Sequence, residues 1–203
     1  MRNLLTGLVQ GLTIATVLCV PSFAESDSVA PVGGPPRPIA EKVVTSLPVE
    51  PLYWSIISYA SLDDAKKEVG PFSLAAESDG KFWLFRLGPQ TSANDGGVKV
   101  AEAGPIVPPV ASRYMLRVSE SISSPGRMTA VHTHPGSEAF YVLKGAIEFK
   151  TAERTYIVSS GESSSGPPPN TVMQATTVGS TNAHNLIMFV LDAEKPAQSP
   201  AHF

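Results

Sequence analysis

The chain has 203 residues and a formal net charge of −3, from 15 basic and 18 acidic side chains. This length suits one domain with extensions, and the absence of a basic stripe argues against a nucleic-acid partner. The 19 prolines and 16 glycines interrupt the chain often, so short strands are expected rather than long helices.

The first 24 residues have the features of a secretory signal peptide. An uncharged apolar segment at residues 4–20 follows a basic start, and Ser22 and Ala24 form a small-x-small cleavage pattern. We therefore predict that residues 1–24 are removed and that the mature protein is periplasmic or secreted. An uncleaved membrane anchor is the alternative, because the apolar segment approaches the length of a bilayer span. Cleavage would also remove Cys19, the only cysteine of the sequence.

Two segments precede the region of dense strand signals. Residues 25–47 are rich in Pro, Gly, Ser and Ala, which predicts a flexible linker. Residues 48–80 are predicted to be an N-terminal extension that packs on the following domain. This extension contains the one clear helix signal, in which Ser61 is the N-cap and Gly70 ends the helix.

The remaining chain alternates short strand signals with turns. The strands are predicted at residues 72–76, 81–87, 98–103, 113–119, 139–149, 154–158, 171–177 and 185–191. Strand spacings of about ten residues are typical of an all-β barrel or jelly roll. We therefore predict an all-β fold with one short N-terminal helix, a barrel at residues 81–193 and a polar C-terminal tail at residues 194–203.

Two histidines and a glutamate flank a predicted turn in the middle of the barrel. His132 and His134 point to the same side of a strand, because successive side chains alternate. Residues 135–137 (Pro-Gly-Ser) predict a turn, and a hairpin folded there would bring Glu138 back beside the imidazoles. Two imidazoles and a carboxylate form a facial triad that suits Fe(II), with Mn(II) or zinc as alternatives. His132, His134 and Glu138 are therefore the predicted metal ligands.

The same segment resembles the first sequence motif of the cupin superfamily, in which a glycine, five residues, His-x-His, three residues, Glu and six residues precede a second glycine. The fixed positions are filled here by Gly126, His132, His134, Glu138 and Gly145. The resemblance implies a small β-barrel with a divalent metal inside its mouth, over about residues 82–192. It also implies an activity among dioxygenases, isomerases and decarboxylases.

A second stretch, residues 161–174, resembles the second cupin motif in a degraded form. Its Pro-x-Gly turn matches residues 168–170 if one residue is inserted after Gly161, and Met173 then stands where the family has its last histidine ligand. A metal could bind three protein ligands with water completing its coordination. His184 is a candidate substitute for the missing imidazole. The alternative is a metal-free barrel in which the three residues form a polar cluster.

Strand alternation also predicts the lining of the site. The predicted apolar lining consists of Met128, Phe140, Val142 and Met173. Such a lining favours a small, partly hydrophobic ligand. The candidates for contact with an anionic group at the mouth are Arg113, Tyr114 and Arg117.

Three functions fit these observations. The first is an exported metal-binding enzyme, with a small-molecule oxygenase slightly favoured. The second is a non-catalytic module that binds a small molecule or a metal, which the missing imidazole favours. The third is a structural or partner-binding barrel. Edge strands of open barrels often pair, so a homodimer is also expected as an option.

Overall fold

The computed structural model describes residues 33–90 and 96–203. The predicted signal peptide and the first residues of the predicted linker lie outside the described residues. Within the described residues the fold is all-β with one short helix, as predicted, and no helix there is long and apolar enough to cross a membrane. The elements in chain order are β1 (Arg37–Val44), β2 (Leu52–Tyr59), α1 (Leu62–Lys67), β3 (Ser73–Ser78), β4 (Lys81–Gly88), β5 (Val98–Ile106), β6 (Tyr114–Ser123), β7 (His132–Thr133), β8 (Gly136–Lys144), β9 (Ala146–Thr151), β10 (Thr155–Ser159), β11 (Ser163–Ser164), β12 (Met173–Val178), β13 (Ala183–Asp192) and β14 (Ser199–Pro200).

Two five-stranded antiparallel sheets form the barrel. Sheet I has the strand order β1-β6-β13-β8-β11, and sheet II has the order β10-β9-β12-β7-β14. Apolar side chains from both sheets share one buried cluster, in which the rings of Phe140 from β8 and Phe149 from β9 lie 4.0 Å apart. The inner faces of the two sheets therefore enclose the space in which the predicted ligands lie.

A third sheet covers the outer face of sheet I. This N-terminal sheet has the order β3-β4-β2-β5, and its side chains Trp54, Trp83 and Phe85 are fully buried against residues of β6, β8 and β13. Full burial of each such side chain contributes about 1.5–3 kcal/mol. The strands β8 and β13 of sheet I are therefore covered on both faces, and β13 is buried along its whole length.

The predicted boundaries within the N-terminal half need correction. The β3–β4 hairpin spans the predicted boundary between residues 80 and 81, so both sides of that boundary belong to the same sheet. The predicted linker contains β1, which pairs with β6 at the edge of sheet I. The sequence pattern did not predict this strand, because proline has no N–H to donate and therefore argues against a strand. Pro38 is tolerated here because β1 lies at the edge of the sheet. Ile39, Ala40 and Val44 nevertheless pack against the core.

The predicted strand at residues 139–149 is two strands. Gly145 has a φ of +71° and separates β8 in sheet I from β9 in sheet II. This left-handed conformation favours glycine, and a Cβ at residue 145 would lie 2.7 Å from the carbonyl oxygen of Asn182. The expected hairpin at residues 135–137 is also wrong in detail, because the chain crosses there from β7 in sheet II to β8 in sheet I.

The predicted helix is confirmed as α1. The Ser61 side chain accepts a hydrogen bond from the Asp64 backbone N–H at 3.1 Å, which satisfies a donor in the first turn. Ala65 is the residue that the helix buries. The helix lies against the N-terminal sheet and is remote from the barrel interior.

Candidate functional site

A cavity of about 370 Å³ lies between sheets I and II. We call the part lined by His132, His134 and Glu138 the histidine end, and the part lined by Ser119, Ser121 and Asn185 the serine end. Apolar side chains line the space between the ends, including Phe140, Phe149 and Ile187.

The three predicted ligands meet at the histidine end because β7 and β8 lie in opposite sheets. His132 and His134 approach from sheet II, and Glu138 approaches from β8 in sheet I. The Nε2 atoms of the two histidines are 3.1 Å apart, and Glu138 Oε2 is 3.6 Å from His134 Nε2. Two ligand atoms at right angles, each about 2.1 Å from a metal, would be about 3 Å apart.

Backbone carbonyl groups determine which imidazole nitrogen carries the proton. His132 Nδ1 donates to the Ala130 carbonyl oxygen, and His134 Nδ1 donates to that of Ala197, each at 2.7 Å. In the neutral rings both Nε2 atoms are then unprotonated, and their lone pairs face each other. This repulsive arrangement is stabilised when a cation lies between the nitrogens, and bonds from Nδ1 to a carbonyl are the usual support of metal-bound histidine.

The charge states are set mainly by burial. Burial lowers the pKa of His134 to about 4; the hydrogen bond to the Ala197 carbonyl opposes this effect, and the neighbouring His132 adds to it. Burial raises the pKa of Glu138 from 4.5 to about 8. Glu138 Oε1 is buried and has no hydrogen-bond partner among the described residues. An isolated buried carboxyl group of this kind is uncommon unless it has a functional role.

The donor set therefore fits a divalent metal ion. In the part of the chain that is described, no group of three or more His, Cys, Asp or Glu side chains is arranged so that it could hold a metal ion without movement of the side chains. At the histidine end, however, the two imidazole Nε2 atoms lie 3.1 Å apart, Glu138 Oε2 lies 3.6 Å from the Nε2 atom of His134, and all three residues line the cavity. These are the ligand types that Fe(II), Mn(II) and zinc accept.

Met173 lies beside this cluster, where alignment with the second cupin motif predicted it. It pairs with His132 across β12 and β7, it is 2% exposed, and it lines the cavity.

The predicted lining is correct for Phe140 and Met173. It is wrong for Met128, which is 58% exposed, because it precedes β7 and pairs with the outward-facing Thr176.

His184 does not replace the missing ligand, because its side chain lies on the opposite face of sheet I. There it belongs to a buried cluster that we call the Glu120 cluster, formed by Ser78, Glu120 and His184 with Arg37. Glu120 Oε1 accepts hydrogen bonds from Ser78 Oγ at 2.5 Å and from His184 Nε2 at 2.9 Å. Arg37 donates to Glu120 Oε2 at 2.7 Å.

Sequence reasoning missed the contribution of the C-terminal tail. The tail supplies the Ala197 carbonyl, and β14 pairs with β7 beside the histidines. A backbone carbonyl has no sequence signal, so only the fold reveals it.

The arginines that were predicted to contact an anionic group differ in position. Arg117 lines the cavity and is paired with Glu41 at 2.9 Å, whereas Arg113 is exposed.

The chain is similar to one sequence family and to several solved structures. The sequence family described as Cupin domain matches residues 121–184. Among solved structures, the chain is similar to a DMSP lyase from Ruegeria pomeroyi, with 18% identity over 42% of this chain and 43% of that chain and a TM-score of 0.38. It is similar to a cupin-like protein from Thermotoga maritima, with 20% identity over 42% and 64% and a TM-score of 0.37.

The chain is also similar to an oxalate oxidase, with 21% identity over 42% of this chain and 46% of that chain and a TM-score of 0.35. In each of these three comparisons the matched part is less than two thirds of the solved structure's length. No curated protein sequence matches the chain.

Proposed function

We propose, from the match of residues 121–184 to the family described as Cupin domain, that the chain is an exported protein that binds one divalent metal ion through His132, His134 and Glu138. Fe(II) and Mn(II) are the preferred ions, and zinc is a third option. The observation that carries the proposal is the 3.1 Å approach of two Nε2 atoms whose partner nitrogens already donate to backbone carbonyls.

We favour a small-molecule oxygenase among the catalytic functions. A bound metal of this type would supply open coordination positions where an organic ligand and O2 can meet. The protein's part is to orient the ligand atoms and to exclude water. The ring of Phe189 lies 5.1 Å from that of His134, and Phe140 and Phe149 extend the apolar wall, so charges at this end interact in a weakly screening environment.

Glu138 is the group that can move a proton at this end. It is the only acidic side chain among the described residues that line the cavity. A bound metal would favour its carboxylate form, so Glu138 can accept a proton only when it is loosely coordinated. Met173 offers a thioether in place of an imidazole, which leaves one more coordination position for a ligand.

A non-catalytic binding module is the second candidate. The observation that favours it is the absence of a second acid or base in the described lining of the cavity other than the proposed ligands. Measurement of O2 consumption by the metal-loaded protein over a panel of small organic compounds separates the two functions. Tight binding without O2 consumption would support the module.

Export is proposed from the first 24 residues. Mass determination of the protein recovered from the periplasm or medium should give a chain beginning at Glu25. A chain beginning at Met1 in the membrane fraction would show an uncleaved anchor instead.

The metal proposal is tested by elemental analysis of the protein purified from metal-replete medium. The wild type should hold close to one iron or manganese ion per chain, and the His132→Ala/His134→Ala variant should hold almost none. His202→Ala is the matched control, because His202 is exposed and lies outside the cavity lining. Equal metal content in all three proteins, or none in any of them, would contradict the proposal.

A further inference from the structure

The serine end of the cavity has polar groups that the metal proposal does not use. The register of β13 separates it from the histidine end: Phe189 pairs with Glu138, whereas Asn185 pairs with Val142. Four residues along a strand correspond to about 13 Å. The two ends are therefore too far apart for one small polar group to contact both.

Asn185 is the central residue of this end. It is 4% exposed, it lines the cavity, and its Oδ1 atom is buried without a hydrogen-bond partner among the described residues. Buried amide groups in proteins are normally hydrogen-bonded to protein, to water or to a ligand. Oδ1 only accepts, so it cannot bond to a carboxylate, whereas Nδ2 donates and has no hydrogen-bond partner among the described residues. Asn185 can therefore contact an oxygen-rich ligand group through Nδ2.

Two serines on β6 stand beside Asn185. Ser121 is its direct partner in the register of β6 and β13, and Ser119 lies two residues nearer the histidine end. Both line the cavity, and within the described part of the chain neither side chain forms a hydrogen bond. The end thus presents two hydroxyl groups and one amide that the described residues leave available.

A cation lies at the rim of the same end. Arg127 lines the cavity, is exposed, and has no ion pair with another described residue. Its guanidinium lies beside Gly33, because a Cβ on that glycine would be 3.5 Å from Arg127 Nη1. Gly33 N in turn donates to the Ile122 carbonyl oxygen at 2.8 Å, next to Ser121 on β6. No acidic side chain of the described residues lines this end.

We infer that the serine end binds the carboxylate of an amphipathic organic acid. Arg127 supplies the charge, while the serine hydroxyls and the Asn185 amide supply hydrogen bonds to the carboxylate oxygens. The apolar part of the acid lies along Phe140, Phe149 and Ile187 and points toward the histidine end. The cavity volume of about 370 Å³ suits a small molecule of this kind. Such an acid is the substrate class that we infer for the proposed metal site. Binding of its carboxylate at the serine end does not require the metal, and only the reaction at the histidine end rests on the proposed function.

Calorimetric titration of the full chain with two probes of equal size tests this subsite. Hexanoate should bind the wild type about tenfold more tightly than hexanamide, because only hexanoate carries the charge. Arg127→Gln should remove most of this preference while leaving the binding of hexanamide unchanged. Ser121→Ala should weaken hexanoate binding by a smaller factor. Arg154→Gln is the matched control, since Arg154 is exposed in the β9–β10 turn and lies outside the cavity lining.

Equal affinities for the two probes, or an unchanged preference in Arg127→Gln, would overturn the inference. Repeating the titrations with His132→Ala/His134→Ala distinguishes this failure from that of the metal proposal. A carboxylate preference that survives in this variant supports the serine end whether or not the wild type holds metal. A preference lost together with the histidines would show that the carboxylate binds the metal instead, which contradicts the subsite and leaves the metal site standing.

Discussion

Two buried clusters that each contain histidine and glutamate lie on opposite faces of sheet I. In the Glu120 cluster, both carboxylate oxygens accept hydrogen bonds, from Ser78 and His184 on one side and from Arg37 on the other. At the histidine end, Glu138 Oε1 has no partner among the described residues, and the two imidazole lone pairs face each other. One cluster is complete within the protein, whereas the described residues give the carboxyl group of the other no positively charged partner.

The pKa values express the same difference. Burial by itself raises the pKa of Glu120, but the hydrogen bonds from Ser78, Arg37 and His184 together lower it below its ordinary value. Glu138 has no such compensation, and burial raises its pKa to about 8. We infer that the Glu120 cluster stabilises the fold by joining the N-terminal sheet to sheet I, whereas the histidine end is organised for an added ion.

The largest expected effect follows from breaking the complete cluster. Glu120→Ala leaves His184 and Ser78 buried without their acceptor and should lower the free energy of unfolding by about 3–5 kcal/mol. At about pH 4, where the Glu138 carboxyl group is mostly protonated in both the folded and the unfolded metal-free protein, Glu138→Ala should change it by less than about 1 kcal/mol, since the described residues give Oε1 no hydrogen bond to lose. Denaturant unfolding of both variants measures the contrast. Similar losses in the two variants would show that the clusters do not differ in this way.

The pH dependence of stability sharpens the comparison. Because the pKa of Glu138 is raised from 4.5 to about 8, the folded metal-free protein keeps this proton while the unfolded chain loses it. Between these values the contribution of Glu138 to stability should fall as pH rises, with a limiting slope of about 1.4 kcal/mol per pH unit. Unfolding of the metal-free wild type and of Glu138→Gln at pH 5, 6 and 7 measures this slope. A slope that is equal in the two proteins would contradict the assignment.

The next largest effect is a loss of metal affinity when the Ala197 carbonyl group, which accepts a hydrogen bond from His134, is removed. Deletion of residues 197–203 removes the acceptor at Ala197 and should weaken metal binding by about 10- to 100-fold, as loss of a supporting contact to a metal ligand commonly does. Deletion of residues 202–203 alone is the control, because it keeps Ala197 and the β14 pairing. Competition titration with a metal chelator gives the affinities. Equal weakening by both deletions would exclude a specific role for Ala197.

The smallest expected effect is a gain in metal affinity. Met173→His places an imidazole next to His132 and should raise metal affinity by about tenfold, because it adds a nitrogen ligand to the set. Met173→Leu keeps the apolar volume and should leave the affinity unchanged. The same chelator competition measures both variants. Equal affinities of the histidine and leucine variants would mean that residue 173 does not reach the ion.

Local signals in the sequence predicted most elements of the fold. The capping Ser61 identified α1, and the β3–β4 hairpin followed from the turn residues between two apolar runs. The strand β1 was missed because Pro38 and the prolines just before it resemble a linker, and only its pairing with β6 makes it a strand. The division at Gly145 was missed because one apolar run enters two sheets.

The three proposed metal ligands were identified from their spacing, but the fold brings them together by a crossing between two sheets and not by the expected hairpin. The second-motif alignment placed Met173 correctly beside them. His184 was a reasonable candidate by residue type, but strand alternation directs it to the other face of β13, away from Asn185 and the cavity. The Ala197 carbonyl and the serine end were not accessible, since both depend on which distant strands become neighbours.

Anomalous diffraction from crystals of the full chain grown with Mn(II) tests the central claim most directly. The account predicts one strong anomalous peak at the histidine end, about 2.0–2.3 Å from both imidazole Nε2 atoms and from one oxygen of Glu138. No peak should appear at the Glu120 cluster. A manganese peak at Glu120 and His184, or none at His132 and His134 in the presence of excess metal, would contradict the account.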